Sequence, residues 1–238
     1  MGAAPAARDC ELPARVRQLL LLQYALVAFL IGVLAVAVVS FARLGVAKLL
    51  RTRRLGRSAH QKGMRFFRDD PYDAARRYAQ FAVISSGHSP RANNVTDGRL
   101  AGEPVRAFDF RCELAHGTRR TTRYYNVLVA ETRHGYGSVV MWNEADADLA
   151  PLAARDSAGR LGAWDYRGSR RLAAALAAAC KDLADVGASM EIRGSILMVS
   201  VPVTRFGSDY VVGFGQLAQA LAAVRGAASA DAQPAPAT

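Results

Sequence analysis

LLLLQYALVAFLIGVLAVAVVSFA, residues 19–42, decides how the rest of this 238-residue chain is read. It carries no charge, no proline and one glycine, Gly32, and only Gln23, Tyr24 and Ser40 interrupt it with polar groups. As a helix rising about 1.5 Å per residue it spans roughly 36 Å, enough to cross a hydrocarbon core of about 30 Å with some tilt. In lipid every backbone N–H and C=O must be paired inside the segment, and for one isolated stretch only a helix does that. The expectation is a single-pass membrane protein with a folded portion behind one anchor.

The charge distribution sharpens this. A formal charge of +11 suggests a nucleic-acid binder only if it covers the folded part. It does not: residues 43–68 hold nine cations and no acid, whereas the 170 residues after them hold 19 basic and 18 acidic side chains. There is thus no strong case for nucleic acid as a partner. Lys and Arg close to a span stay on the cytoplasmic side. Seven lie between Arg43 and Lys62, against Arg15 and Arg17 on the other flank. The N-terminus is therefore expected outside and the domain in the cytoplasm, at the cell (inner) membrane. A cleaved signal peptide ending at Ser40-Phe41-Ala42 would need an apolar core far longer than usual, followed by cations that oppose translocation. Cys10, Cys112 and Cys180 form no C-x-x-C, as expected of free thiols.

Read in order, residues 1–18 form a disordered N-terminus, 19–42 the transmembrane helix and 43–68 a basic juxtamembrane segment. An α+β domain covers 69–225 and a disordered tail 226–238. Leu44, Ala47, Leu50 and Leu55 recur at helical spacing among the cations of 43–68, so that segment is expected to continue as a basic helix. Asp69-Asp70-Pro71 reads as a helix start, with the helix running to about Ile84 and Gly87 at its left-handed end.

From Asn94 to Trp142 the period falls to two, giving strands at 95–100, 103–114, 124–132 and 135–142 with short links. These imply an antiparallel β-meander packed with helices. Phe108, Phe110 and Cys112 share one strand face, which should be the core side. Residues 160–167 suggest a fifth strand, Ser169 caps a helix ended by Gly187, 190–203 form a hairpin, and 211–224 form a last apolar helix.

The combination Ser85-Ser86-Gly87-His88-Ser89, Asn94-Val95 with Gly98, and Gly102 with Phe108-Asp109-Phe110 resembles an uncharacterised family of bacterial membrane-anchored proteins, a domain of unknown function with an SSGHS…G…FDY-type pattern. Trp164-Asp165-Tyr166 and Glu191-Ile192-Arg193-Gly194 echo that family's ending. The resemblance implies one or two spans and an α+β domain, and it supplies no catalytic residues.

The chemistry is sparse. His60, His88, His116 and His134 form no metal-ligand spacing, and Gly135-Tyr136-Gly137 lacks the third glycine of a dinucleotide turn, so no metal or cofactor is expected. His88 among serines reads as a helix end satisfying loose carbonyls rather than as an acid–base group. Asp109, mid-strand, needs a cation, with Arg106, Arg111 or Arg123 in reach across the hairpin. The reading is a non-enzymatic module that recruits or senses a protein partner at the cytoplasmic face, its other partner being the lipid bilayer. The alternatives are a device that holds an anionic lipid or RNA surface through Arg51, Arg53, Arg54, Arg57, Arg119, Arg120 and Arg123, and a tethered enzyme.

Overall fold

The computed structural model describes residues 14–115, 117, 120–143, 157–203 and 213–229. The disorder expected at 1–13 and 230–238 and the loop at 144–156 lie outside these residues. The chain divides between Leu49 and Leu50 into two compact units.

The first unit is the N-terminal part of helix α1, Ala14–Gln61. Within α1, Leu22–Arg43 is long and apolar enough to cross a membrane. The Ser40 hydroxyl donates back to the Val36 carbonyl at 2.7 Å, so that polar interruption is satisfied inside the helix. Residues 14–18, expected to be unstructured, already belong to α1.

The second unit is α+β. Among the described residues nine strands form one sheet in the order β1-β2-β3-β4-β9-β8-β5-β7-β6, every neighbouring pair antiparallel. The strands are β1 Arg65–Asp69, β2 His88–Leu100, β3 Glu103–Leu114, β4 Thr121–Glu131, β5 Ser138–Asn143, β6 Gly159–Leu161, β7 Trp164–Gly168, β8 Ser189–Arg193 and β9 Ile196–Pro202. Period-two alternation sends Phe108, Phe110 and Cys112 to one face, with Tyr125, Val127, Val129 and Met198, and all are buried there. The other face carries Val105, Ala107, Leu128, Ala130, Leu197 and Val199, and it is buried too. Leu55 and Ala59 of α1 cover it, with Leu172 and Leu176 of α4 (Arg170–Ala179) and Leu217, Leu221 and Val224 of α6 (Phe214–Ser229). Ser169 accepts from Leu172 N–H, as its sequence position implies, but the helix expected to run on to Gly187 breaks at Cys180 into α4 and a single turn, α5 (Lys181–Ala184), with Gly187 at φ 67 beyond it.

Other details also depart from the sequence reading. The helix expected from Pro71 to Ile84 is two single turns, α2 Ala74–Arg77 and α3 Ala82–Ser85. Asp70 does cap, accepting from the N–H groups of Tyr72 (3.0 Å) and Ala74 (2.6 Å). Tyr78 and Phe81 are then drawn flat into the core, Tyr78 stacking on Phe108 at 6.1 Å and meeting Phe81 edge-on at 6.2 Å. Aromatic burial outweighs local helix propensity there.

Gly87 is not a left-handed cap: a Cβ on it would lie 2.7 Å from the Glu113 carbonyl, so its role is close approach of β2 to β3. Finally, β5 does not pair with β4, because the β8–β9 hairpin lies between them. The link after β4 clasps that hairpin's turn instead, Thr132 N–H donating to Ser195 O at 2.7 Å and Tyr136 N–H to Gly194 O at 2.9 Å. The tail expected from residue 226 also starts later, since α6 runs to Ser229.

Candidate functional site

Where α1 enters the domain, the sequence alternation of β3 places Asp109 on the face that α1 covers. The Arg51 guanidinium grips it bidentately, Nη2 donating to Oδ1 at 2.8 Å and Nη1 to Oδ2. Asn94 Nδ2 donates to Oδ2 at 2.7 Å, and Thr52 Oγ1 donates to Asn94 Oδ1 at 3.3 Å. Asn94 reaches this position because it sits at φ 52 in a bulge, where Asn93 faces Asp109 but Thr96 faces Ala107. The cation on Asp109 is therefore Arg51, fifty-eight residues away, and not Arg106, Arg111 or Arg123.

The other face holds a second network. Arg106 Nη2 donates to Asp97 at 2.9 Å and Nη1 to the Tyr78 hydroxyl at 2.7 Å, while its guanidinium lies 4.2 Å over the Tyr72 ring. Arg65 pairs with the same Asp97, and Tyr78 donates to Glu131 at 2.7 Å, which Arg77 also binds at 3.0 Å. Burial pushes the Asp97 carboxyl up, but the hydrogen bonds from Arg65 and Arg106 outweigh it and hold the group below its ordinary value. Burial, then the bond to Glu131, raises the Tyr78 phenol well above its usual range. These groups join β1, β2, β3, β4 and the 70–81 segment, and they are spent on that.

The remaining candidates divide cleanly. Arg53, Arg54 and Arg57 are exposed on α1, whereas Arg51 is committed to Asp109 with 22% of its side chain accessible. Arg119 and His116 lie outside the described residues. Arg120 pairs with Glu113, whose carboxyl is held low first by that bond and which stands 3.8 Å from His88 Nε2. Ser85 and Ser86 donate to the carbonyls of Phe81 and Val83 at 3.0 and 2.9 Å, the helix-end role read from the sequence. Sequence reasoning missed Arg91: β2 begins at His88, earlier than its alternation suggested, and puts Arg91 directly opposite Arg111, both exposed. Burial pushes the Cys180 thiol up to about 11, which suits an inert core cysteine.

No family model and no curated protein matches the sequence. Among solved structures, the fold is similar to that of the mycobacterial trehalose monomycolate transport factor A, TtfA. The TM-score is 0.50 with 18% identity, over 79% of this chain and 98% of that chain. At that identity the likeness is one of fold.

Proposed function

We propose that this chain is a single-pass membrane protein whose α+β domain acts by binding rather than by catalysis, recruiting or sensing a protein partner at the cytoplasmic face of the inner membrane. The observation that carries the reading is the route of α1. The same helix that holds the Leu22–Arg43 span also supplies Arg51, Thr52, Leu55 and Ala59 to the domain. Only six residues lie between Arg43 and Leu50, a reach of at most about 25 Å even when fully extended, so the domain works next to the bilayer. The cation excess behind the span favours the cytoplasmic side. Asp97, Asp109 and Glu131 are each engaged in an ion pair that ties strands or helices together, which suits an interaction scaffold. The fold neighbour is named as a trehalose monomycolate transport factor, consistent with a supporting rather than a catalytic role.

The test is proximity labelling from the C-terminus of the full chain in its own cells, beside a control carrying the anchor alone. The reading expects one or a few membrane-associated proteins labelled by the full chain and not by the control. Identical labelled sets contradict it.

A second reading has an observation of its own. Arg53, Arg54 and Arg57 face solvent with no carboxylate paired to them among the described residues, which suits contact with anionic head groups at about 1 kcal/mol per cation.

A further inference from the structure

On the face of the sheet that α1 covers, the helix and β3 run in opposite directions. Arg51 meets Asp109, Gly56 lies against Phe66, whose register partner Thr96 faces Ala107, and Met64 just past the helix lies against Gly98, which faces Val105. One step further along β3 in that direction, about 6.6 Å on, stands Arg111. Its register partners are Arg91 on β2 and Tyr124 on β4. Both arginines are exposed, and neither has an ion-pair or hydrogen-bond partner for its side chain among the described residues. The nearby carboxylates are already engaged, Asp109 by Arg51 and Glu113 by Arg120. Like charges directly opposite on neighbouring strands are destabilising, so the pair costs the fold something and nothing among the described residues offsets it.

We propose that Arg91 and Arg111 together bind the phosphate of an anionic lipid headgroup in the membrane to which the chain is tethered. Two guanidiniums side by side present a planar set of donors suited to a phosphate's oxygens. Tyr124, half-buried beside Arg111, offers the amphipathic ring that such interfaces favour. Lipid is favoured over nucleic acid because the domain as a whole is almost neutral. It is favoured over a soluble phosphate because this end of the sheet is where the chain leaves for the span, at Leu50 and Arg51. The inference rests on the tethered-module reading.

The experiment uses the full chain with Cys10→Ser and Thr122→Cys, in lipid nanodiscs that carry a nitroxide headgroup quencher. Cys112 and Cys180 are buried, so a fluorophore goes to the exposed position 122. Quenching is expected in discs containing phosphatidylglycerol, and to fall at least about threefold both in phosphatidylcholine discs and in R91Q/R111Q. Because the substitution removes a like-charge pair, R91Q/R111Q should melt no lower than the parent. Equal quenching in the two disc types, or undiminished quenching in R91Q/R111Q, overturns the proposal. Loss of quenching on adding inorganic phosphate at constant ionic strength overturns the lipid assignment in favour of a soluble phosphate. Failure of the full chain to enter discs at all overturns the tethered-module reading, and this inference with it.

Discussion

Replacing Arg51 by methionine would leave the Asp109 carboxylate partly covered, with the Asn94 amide still donating to it. Both partners are 22% accessible, so screening trims the loss, and the expected cost is about 1–2 kcal/mol in denaturant unfolding. R51M with D109N should cost less than R51M alone, since the stranded charge is gone; a larger cost in the double variant would contradict this account of the pair. Gly168 is a backbone case. At φ 103, with a Cβ only 2.3 Å from the Ser138 carbonyl, Gly168→Ala should destabilise by more than about 3 kcal/mol. Gly102→Ala, at φ 84 in open space, should cost only about 1 kcal/mol, so thermal melts of the two variants separate strain from collision.

Two carboxylates give opposite pH signatures. Asp97 sits below its ordinary 3.8, so it contributes stability above that value and loses it as pH falls through its folded-state value. Glu191 is pushed up by burial, against the Ala82 N–H and Arg193 that partly hold its charge. Its contribution is full below the ordinary 4.5 and is lost as pH rises through the folded-state value. In unfolding titrations, Asp97→Asn should therefore flatten the acid limb, and Glu191→Gln the decline toward neutral pH. Reversed slopes would show the assignments to be interchanged.

At the scale of the element, what was legible followed from short-range physics. The Leu19–Ala42 run, the alternation from Glu103 to Leu114 and the Ser169 cap each state their structure locally, and β3 occupies exactly that alternating stretch in both sequence and fold. What was not legible depends on distant partners. The segment Arg65–Asp69 reads as basic linker, yet it is an edge strand because Phe66 and Phe67 have cores to join on either face of β2. The insertion of β8–β9 beside β4 is decided by backbone bonds from Thr132 and Tyr136 to a turn some sixty residues later. For the candidate site, the sequence singled out Asp109 as needing a cation but supplied only neighbours in the hairpin. Arg51 lies on another element, and no spacing rule connects them. The part of α1 beyond Leu50 is thus a piece of the domain's core as well as a basic segment. Leu55, fully buried, tests this: Leu55→Ala should cost about 2–5 kcal/mol of domain stability, where a solvated linker would lose almost none.

For the molecule as a whole, one apolar helix, a cation-rich exit and an almost neutral α+β domain make a tethered head whose charged side chains chiefly hold it together. On the proposed reading the short reach from Arg43 to Leu50 keeps that head at the membrane, and the nine cations of residues 43–68 favour the cytoplasmic side. The most direct measurement is a pair of C-terminal fusions in living cells, one to a fluorescent protein that matures only in the cytoplasm and one to a phosphatase active only outside it. The account predicts bright fluorescence in the membrane fraction and no phosphatase activity. An active phosphatase with dark fluorescence would contradict it.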